Sequence, residues 1–336
     1  MRLRVVVITV VATVAVILGV RFAPDWYRNW QDARAQGVSA RQEKMTEVWL
    51  RANGVVARPW ATTKYPNETQ LAGCPNGDLV GLSWTAKGRL STYRNGKVVR
   101  VRHLTDPTNP KHEFVGLACS RSGAVYTQSF VGGFIVRVPS DGNPDLRWAT
   151  ITQKRPVLGG LAVTSDGAIL VVDGDRSRIL RVSPNGSVNW NWAKVGDGAT
   201  GITIAPNQTV YVDYRRSTEI TKITAGGIVT RRWATLPTEL PRSAPAWLRS
   251  DGGLCSGFPN VDLLGSNIAT DGKGDVFVGH TCLWRITPTR NISLWPMSTP
   301  DPTRGVFVYA LGSGADGSIY GATQDGIVRF AIPTAR

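Results

Sequence analysis

The stretch from Gly160 to Lys194, GLAVTSDGAILVVDGDRSRILRVSPNGSVNWNWAK, breaks into short apolar or alternating runs separated by Asp-Gly, Gly-Asp and Asn-Gly pairs. Each run is too short for a stable helix. Val163, Ile169, Val171, Val172, Ile179, Val182 and Val188 are β-branched and suit a pleated, half-buried surface. The pattern returns in GLSWTAKG from Gly81, GLACSRSG from Gly116, GITIAPNQ from Gly201, NIATDGKG from Asn267 and GSGADG from Gly312. A period of roughly 35 to 45 residues with one longer gap, and about four strands per unit, marks a radial propeller repeat. One such unit cannot bury its own faces, so neighbouring units must stack.

A second marker runs out of phase with the first. Trp148 in DLRWATI, Trp192 in VNWNWAKV, Trp233 in VTRRWATL and Trp295 in ISLWPM each close a unit. The same marker stands far upstream, in GVVARPWAT, where Trp60 has no first strand before it, while the last unit, 305–336, lacks it. The two markers together predict an all-β, six-bladed β-propeller over residues 54–336. Residues 54–63 then supply the fourth strand of the final blade and close the ring, which leaves no dangerous sheet edge. The short gap between Gly81 and Gly116 predicts a three-stranded or irregular first blade. The Pro- and Gly-rich stretch 237–262 reads as an insertion that covers one face of the ring as a lid loop.

Residues 5–20, VVVITVVATVAVILGV, are an unbroken apolar run between Arg2 and Arg4 on one side and Arg21 on the other. With Phe22 and Ala23 the run reaches the lower end of the length needed to span a bilayer. The bulky and charged residues before Ala23 do not suit a signal-peptidase site. Residues 1–23 are therefore expected to be a transmembrane signal-anchor holding the propeller at the cell membrane on the extracytoplasmic side, with secretion after signal cleavage as the alternative. Residues 24–53 read as a helical stalk that opens at a capping box, Ser39 to Gln42, and carries Met45, Val48, Trp49 and Ala52 on one face.

Four cysteines in a membrane-targeted chain predict two disulfides in an oxidising compartment. Propeller geometry places Cys255, in the insertion, and Cys282 at one face, where a bond between them would pin the lid. Cys74 and Cys119 are the remaining pair.

Units such as GLAVTSDGAILVVDGDRSRILRVSPNG resemble NHL repeats and, more broadly, the six-bladed propellers of the gluconolactonase (senescence marker protein) and strictosidine synthase-like group. In the lactonase-like members a divalent cation sits on the axis, held by carboxylate and amide oxygens at the starts of the inner strands. The resemblance implies, for this chain, a calcium or zinc site drawn from Glu113, Asp197, Asp262 and Asn267. The matching positions at Gly116, Gly160, Gly201 and Gly312 are small, and no other cofactor is expected. No Gly-x-Ser-x-Gly, no His-Glu-x-x-His and no phosphate-cradling loop is present.

The formal net charge of +15 points to anionic partners. The basic residues are dispersed and not interleaved with aromatics in one stripe, so nucleic acid is not expected. The expected ligand face carries Phe130, Asp173, Asp175, Arg176, Arg215, Arg216, His112 and His280. On this reading the propeller is a binding or scaffold module for an anionic ligand, an anionic envelope polymer or a protein. A metal-dependent lactonase or esterase is the alternative.

Overall fold

The chain folds as an all-β propeller. A computed structural model describes residues 48, 52, 54–61, 68–83, 88–105, 113–129, 132–151, 158–215, 217–237, 242, 267–279, 282–298, 307–323 and 325–332. Its first strand is β1 (Val55–Ala61). Four meanders then follow in chain order. They are β2 (Gln70–Gly73), β3 (Leu79–Ser83), β4 (Arg89–Arg94) and β5 (Lys97–His103); β6 (Phe114–Cys119), β7 (Val125–Ser129), β8 (Phe134–Val138) and β9 (Asp145–Thr150); β10 (Leu158–Val163), β11 (Ile169–Asp173), β12 (Arg178–Val182) and β13 (Val188–Lys194); and β14 (Ala199–Ile204), β15 (Val210–Tyr214), β16 (Glu219–Ile223) and β17 (Val229–Thr235).

The remaining strands are β18 (Ile268–Thr270), β19 (Val276–Gly279), β20 (Cys282–Ile286), β21 (Ile292–Ser298), β22 (Ala310–Ser313), β23 (Ile319–Thr323) and β24 (Gly326–Ala331). With β1 they form one eight-stranded sheet, in the order β18-β19-β20-β21-β1-β24-β23-β22. Its middle is uneven. β1 pairs antiparallel with β24 from Val56↔Ala331 to Ala61↔Ile327, but touches β21 only through Val55↔Met297 and Val56↔Ser298, in parallel.

The first strands contact one another in a closed cycle, β2 to β6, β10, β14, β18, β22 and back to β2. The core lies between the sheets around that cycle. Between the second and third meanders, for example, Val115, Ala118, Tyr126 and Ile135 meet Leu161, Ile169, Val171 and Leu180, all buried. Apolar area removed from water contributes roughly 25 cal/mol per Å2, and stacking the sheets is what removes it.

The tryptophan marker has a physical account. Trp148 meets Tyr126 edge to face at a ring separation of 5.2 Å, as Trp60 meets Tyr320 at 4.9 Å, and Trp233 lies tilted against Tyr211 at 4.8 Å. The alanine after each tryptophan pairs with an isoleucine of the third strand, Ala149↔Ile135, Ala234↔Ile220 and Ala61↔Ile327. β1 thus stands to β22–β24 as β9 stands to β6–β8. The next sheet's hairpin glycine closes over the tryptophan. A Cβ on Gly227, at φ +86°, would lie 2.8 Å from the Trp192 carbonyl oxygen.

One expectation is corrected. The first meander is a four-stranded sheet like the three that follow, with a register shift between Thr92 and Tyr93, and Gly81 lies in its second strand, not its first. Its first strand, QLAG, has only four residues, too few for periodicity to register. The Cys74–Cys119 disulfide is formed, with a Cα separation of 5.2 Å, and Cys282 is disulfide-bonded as well. Cys255, the expected partner of Cys282, lies outside the described residues, as do residues 1–47 and all of the lid from 243 to 262. Val48 and Ala52 of the expected stalk are helical and exposed. No helix among the described residues is long and apolar enough to cross a membrane.

Candidate functional site

Antiparallel meanders put two kinds of connection at each end of the axis. The segments leading into first strands and the loops between second and third strands share the loop end; the tight first-to-second and third-to-fourth turns share the hairpin end. At the hairpin end the Asp-Gly and Asn-Gly pairs do serve as turns: Gly167 donates to Thr164 O at 3.0 Å, and Asn185 Oδ1 accepts the Ser187 N–H at 3.1 Å.

The expected ligand face is at the loop end, and its described residues fall on one arc. Asp173 closes β11 with its side chain buried, accepting from Arg178 Nε at 2.9 Å and Arg176 Nη1 at 3.4 Å. The chain then makes a 3-10 turn through Gly174–Arg176, which leaves Asp175 and Arg176 exposed. Ser177 Oγ donates to Asp197 Oδ1 in the segment leading to β14, and the Arg215 N–H reaches Gly198 O at 2.7 Å. Asp173, Asp175, Arg176, Asp197 and Arg215 therefore belong to one neighbourhood. Phe130, His112, Arg216 and His280 lie outside the described residues.

Of the expected cation set, Glu113, Asp197 and Asn267 stand ahead of three different first strands, β6, β14 and β18. Glu113 is partly exposed before β6, while Asn267 is buried before β18 and its carbonyl accepts the Gly279 N–H at 3.0 Å. Asp262 lies outside the described residues. Among the described residues no three His, Cys, Asp or Glu side chains form a group that could hold a metal. The inner strands give a reason. β6, β10 and β14 each carry an irregularity at Gly116, at Gly159 and Gly160, and at Thr200 and Gly201. A Cβ on Gly116 would lie 2.8 Å from Gly159 O, and one on Gly159 would collide with Thr200 O. At these positions main chain packs on the main chain of the next sheet, and a larger residue does not fit.

Three buried polar groups escaped the sequence. Asp213, on β15, accepts the Gly201 N–H at 2.5 Å and the Thr200 hydroxyl at 3.4 Å, and burial pushes its carboxyl up to about 6. Gln128, at the same position of the second strand β7, donates from Nε2 to Gly159 O at 2.5 Å. The signal was there in YVDY and YTQS, where a polar residue interrupts a run whose counterparts, Val172, Leu82 and Ala322, are apolar. Glu68 is the third. Burial raises its carboxyl, against the pull of Ser91, Arg89 and Tyr93; Arg89 Nη2 lies 3.3 Å and Tyr93 Oη 3.0 Å from Oε1. Gly81 makes the space, since a Cβ there would lie 3.0 Å from the Glu68 side chain.

A cavity of about 390 Å3 opens at the hairpin end, not at the expected face. Cys119, Arg121, Thr164, Thr203, Thr270 and Ser313 are among its lining residues. Its hydroxyls are held together: Thr270 Oγ1 donates to Ile204 O at 2.9 Å and lies 3.3 Å from Thr203 Oγ1, and Ser313 Oγ accepts the Thr270 N–H at 3.2 Å.

No protein-family model and no curated protein sequence matches the chain. Solved structures do. A streptogramin B lyase superposes with a TM-score of 0.58 at 13% identity, over 83% of this chain and 98% of that one. A gluconolactonase from Xanthomonas campestris gives 0.56 at 18% identity over 82% and 88%, and a virginiamycin B lyase from Staphylococcus aureus 0.54 at 18% over 78% and 80%. At these identities the likeness is one of architecture, and the architecture is that of a β-propeller.

Proposed function

We propose that the chain is a membrane-anchored, extracytoplasmic propeller of six blades, counted by dividing the eight-stranded sheet between β21 and β1, that binds an anionic ligand or protein at its loop end without transforming it. One observation carries the reading. Three of the loop-end carboxylates are committed to scaffolding: Glu68 to Arg89 and Tyr93, Asp173 to Arg178 and Arg176, and Asp197 to Ser177. A metal-dependent lactonase or esterase needs a metal-bound water, or a carboxylate, aimed at substrate. The arc of exposed Asp175 and Arg176 with the half-buried Arg215 is a recognition surface, and the dispersed positive charge draws polyanions to it.

The second reading, a metal-dependent lactonase or esterase, is favoured by the shared architecture with a gluconolactonase and two lyases. Thermal melting of the full chain with calcium or zinc in excess separates the two. A ligand that binds only the folded state raises Tm. No shift with either ion supports the binding module; an upshift that Asp262→Ala abolishes overturns it and establishes the metal site. On the binding reading, retention on an anionic polymer is also lost at high salt.

A further inference from the structure

We propose that β5, with β1 beside it, is a docking strip for an anionic lipid surface. β5 is the outer edge strand of its sheet, and its sequence, KVVRVRH, mixes valine with basic residues and contains no acid. Val98, Val99 and Val101 keep 42%, 52% and 41% of their surface exposed, an unusual cluster for one strand. The strip continues onto β1. Gly96, in the β4–β5 turn, lies against the Trp60 carbonyl, which brings the exposed Arg58 and Pro59 alongside.

Edge strands are commonly guarded by lysine and by bulges, and β5 has both, with a register shift between Thr92 and Tyr93. Guarding alone asks for no valines. The same bulge bends the edge away from a partner strand, which disfavours extension of the sheet by a peptide or a second copy. Exposed aliphatic side chains beside Lys97 and, on β1, Arg58 fit the boundary of an anionic bilayer, where apolar groups enter the headgroup layer and cations meet phosphate. Position supplies the occupant. The chain that carries the apolar run 5–20 reaches the propeller at β1, next to the strip. The inference rests on the reading of that run as a membrane anchor.

Hydrogen exchange of the full chain, mixed with vesicles of phosphatidylcholine alone or with about a third phosphatidylglycerol, tests it. The Lys97–His103 amides should slow about tenfold on the anionic vesicles and recover in high salt, with Val188–Lys194 unchanged. The Val98→Thr/Val99→Thr/Val101→Thr variant should lose the protection while keeping a β-branched strand; Lys97→Gln with Arg58→Gln, both at exposed positions, should weaken it without touching the ladder. Equal protection on both vesicle types, or none, overturns the strip, as does protection in detergent that grows with protein concentration, the mark of a second copy. Failure to float with either vesicle type overturns the anchor instead.

Discussion

The seam between the β2–β5 and β6–β9 sheets is held differently from the seams on either side of it. Where Trp60 closes onto Tyr93 and Tyr320, and Trp148 onto Tyr126, the outer strand contributes a large aromatic to the interface. β5 has Val101 in that position, paired with Ser91 and 41% exposed. In exchange, Arg102 donates to Pro139 O at 2.7 Å and Ser140 O at 3.1 Å, Arg100 donates to Ser140 O at 2.6 Å, and Cys74 is bonded to Cys119. A sheet that gives its apolar outer residues to solvent must be fastened by other means, here covalently near the axis and by guanidinium-to-carbonyl bonds at the rim.

That contrast is open to direct attack. Trp60→Ala removes an aromatic that joins the chain's first strand to both its last and its first sheet, and should cost about 4 kcal/mol in urea unfolding. A loss under about 1 kcal/mol would show that the aromatic is not what closes the ring. Cys74→Ser with Cys119→Ser should cost about 3 kcal/mol. Were Trp60→Ala and the double cysteine variant to cost the same as each other in the presence of reductant, the division of labour between the two seams would be wrong, because only one of them contains this disulfide.

The β14–β17 sheet differs from its neighbour at one repeat position, where Asp213 replaces Val172. Its carboxyl titrates at about 6 in the folded chain, above the unfolded value of about 3.9. The folded state therefore holds the proton more tightly. Stability from this group is fully present below about pH 4 and falls as pH rises through 6, by about 3 kcal/mol in all. Asp213→Asn should flatten the profile between those pH values; a variant with the same slope as the parent would place the proton elsewhere. The smallest effect belongs to Arg102→Ala, about 1 kcal/mol, since its bonds lie partly in solvent. A double-mutant cycle with the cysteine pair then reads whether rim and axis fasten one seam together.

Much of this architecture is legible residue by residue. Period-2 runs with Asp-Gly and Asn-Gly turns locate the strands from β6 onward, and Trp60 without a preceding first strand predicts the pairing of β1 with β24. The first sheet hid because QLAG is too short to show alternation, so that Gly81 passed for the opening of a first strand. At the candidate site Asp173, Asp197 and Arg215 were legible as loop residues, whereas their commitment to Arg178, Ser177 and the backbone was not. Glu68 was unreadable for the same reason, since its partners Arg89 and Tyr93 sit two strands away.

By itself the sequence determined the local geometry: strand lengths, turns, the repeat and the closure, because each is set by a residue and its near neighbours along the chain. Only the tertiary structure decided how the loop end is used. Whether a carboxylate is a ligand or a brace depends on which donors the ring brings to it from other strands. Whether a cation fits near the axis depends on how closely Gly116, Gly159 and Thr200 approach one another across three sheets. Neither distance is encoded in any single repeat. Both emerge when the repeats close on themselves, because the radius of the ring sets the space that side chains may fill.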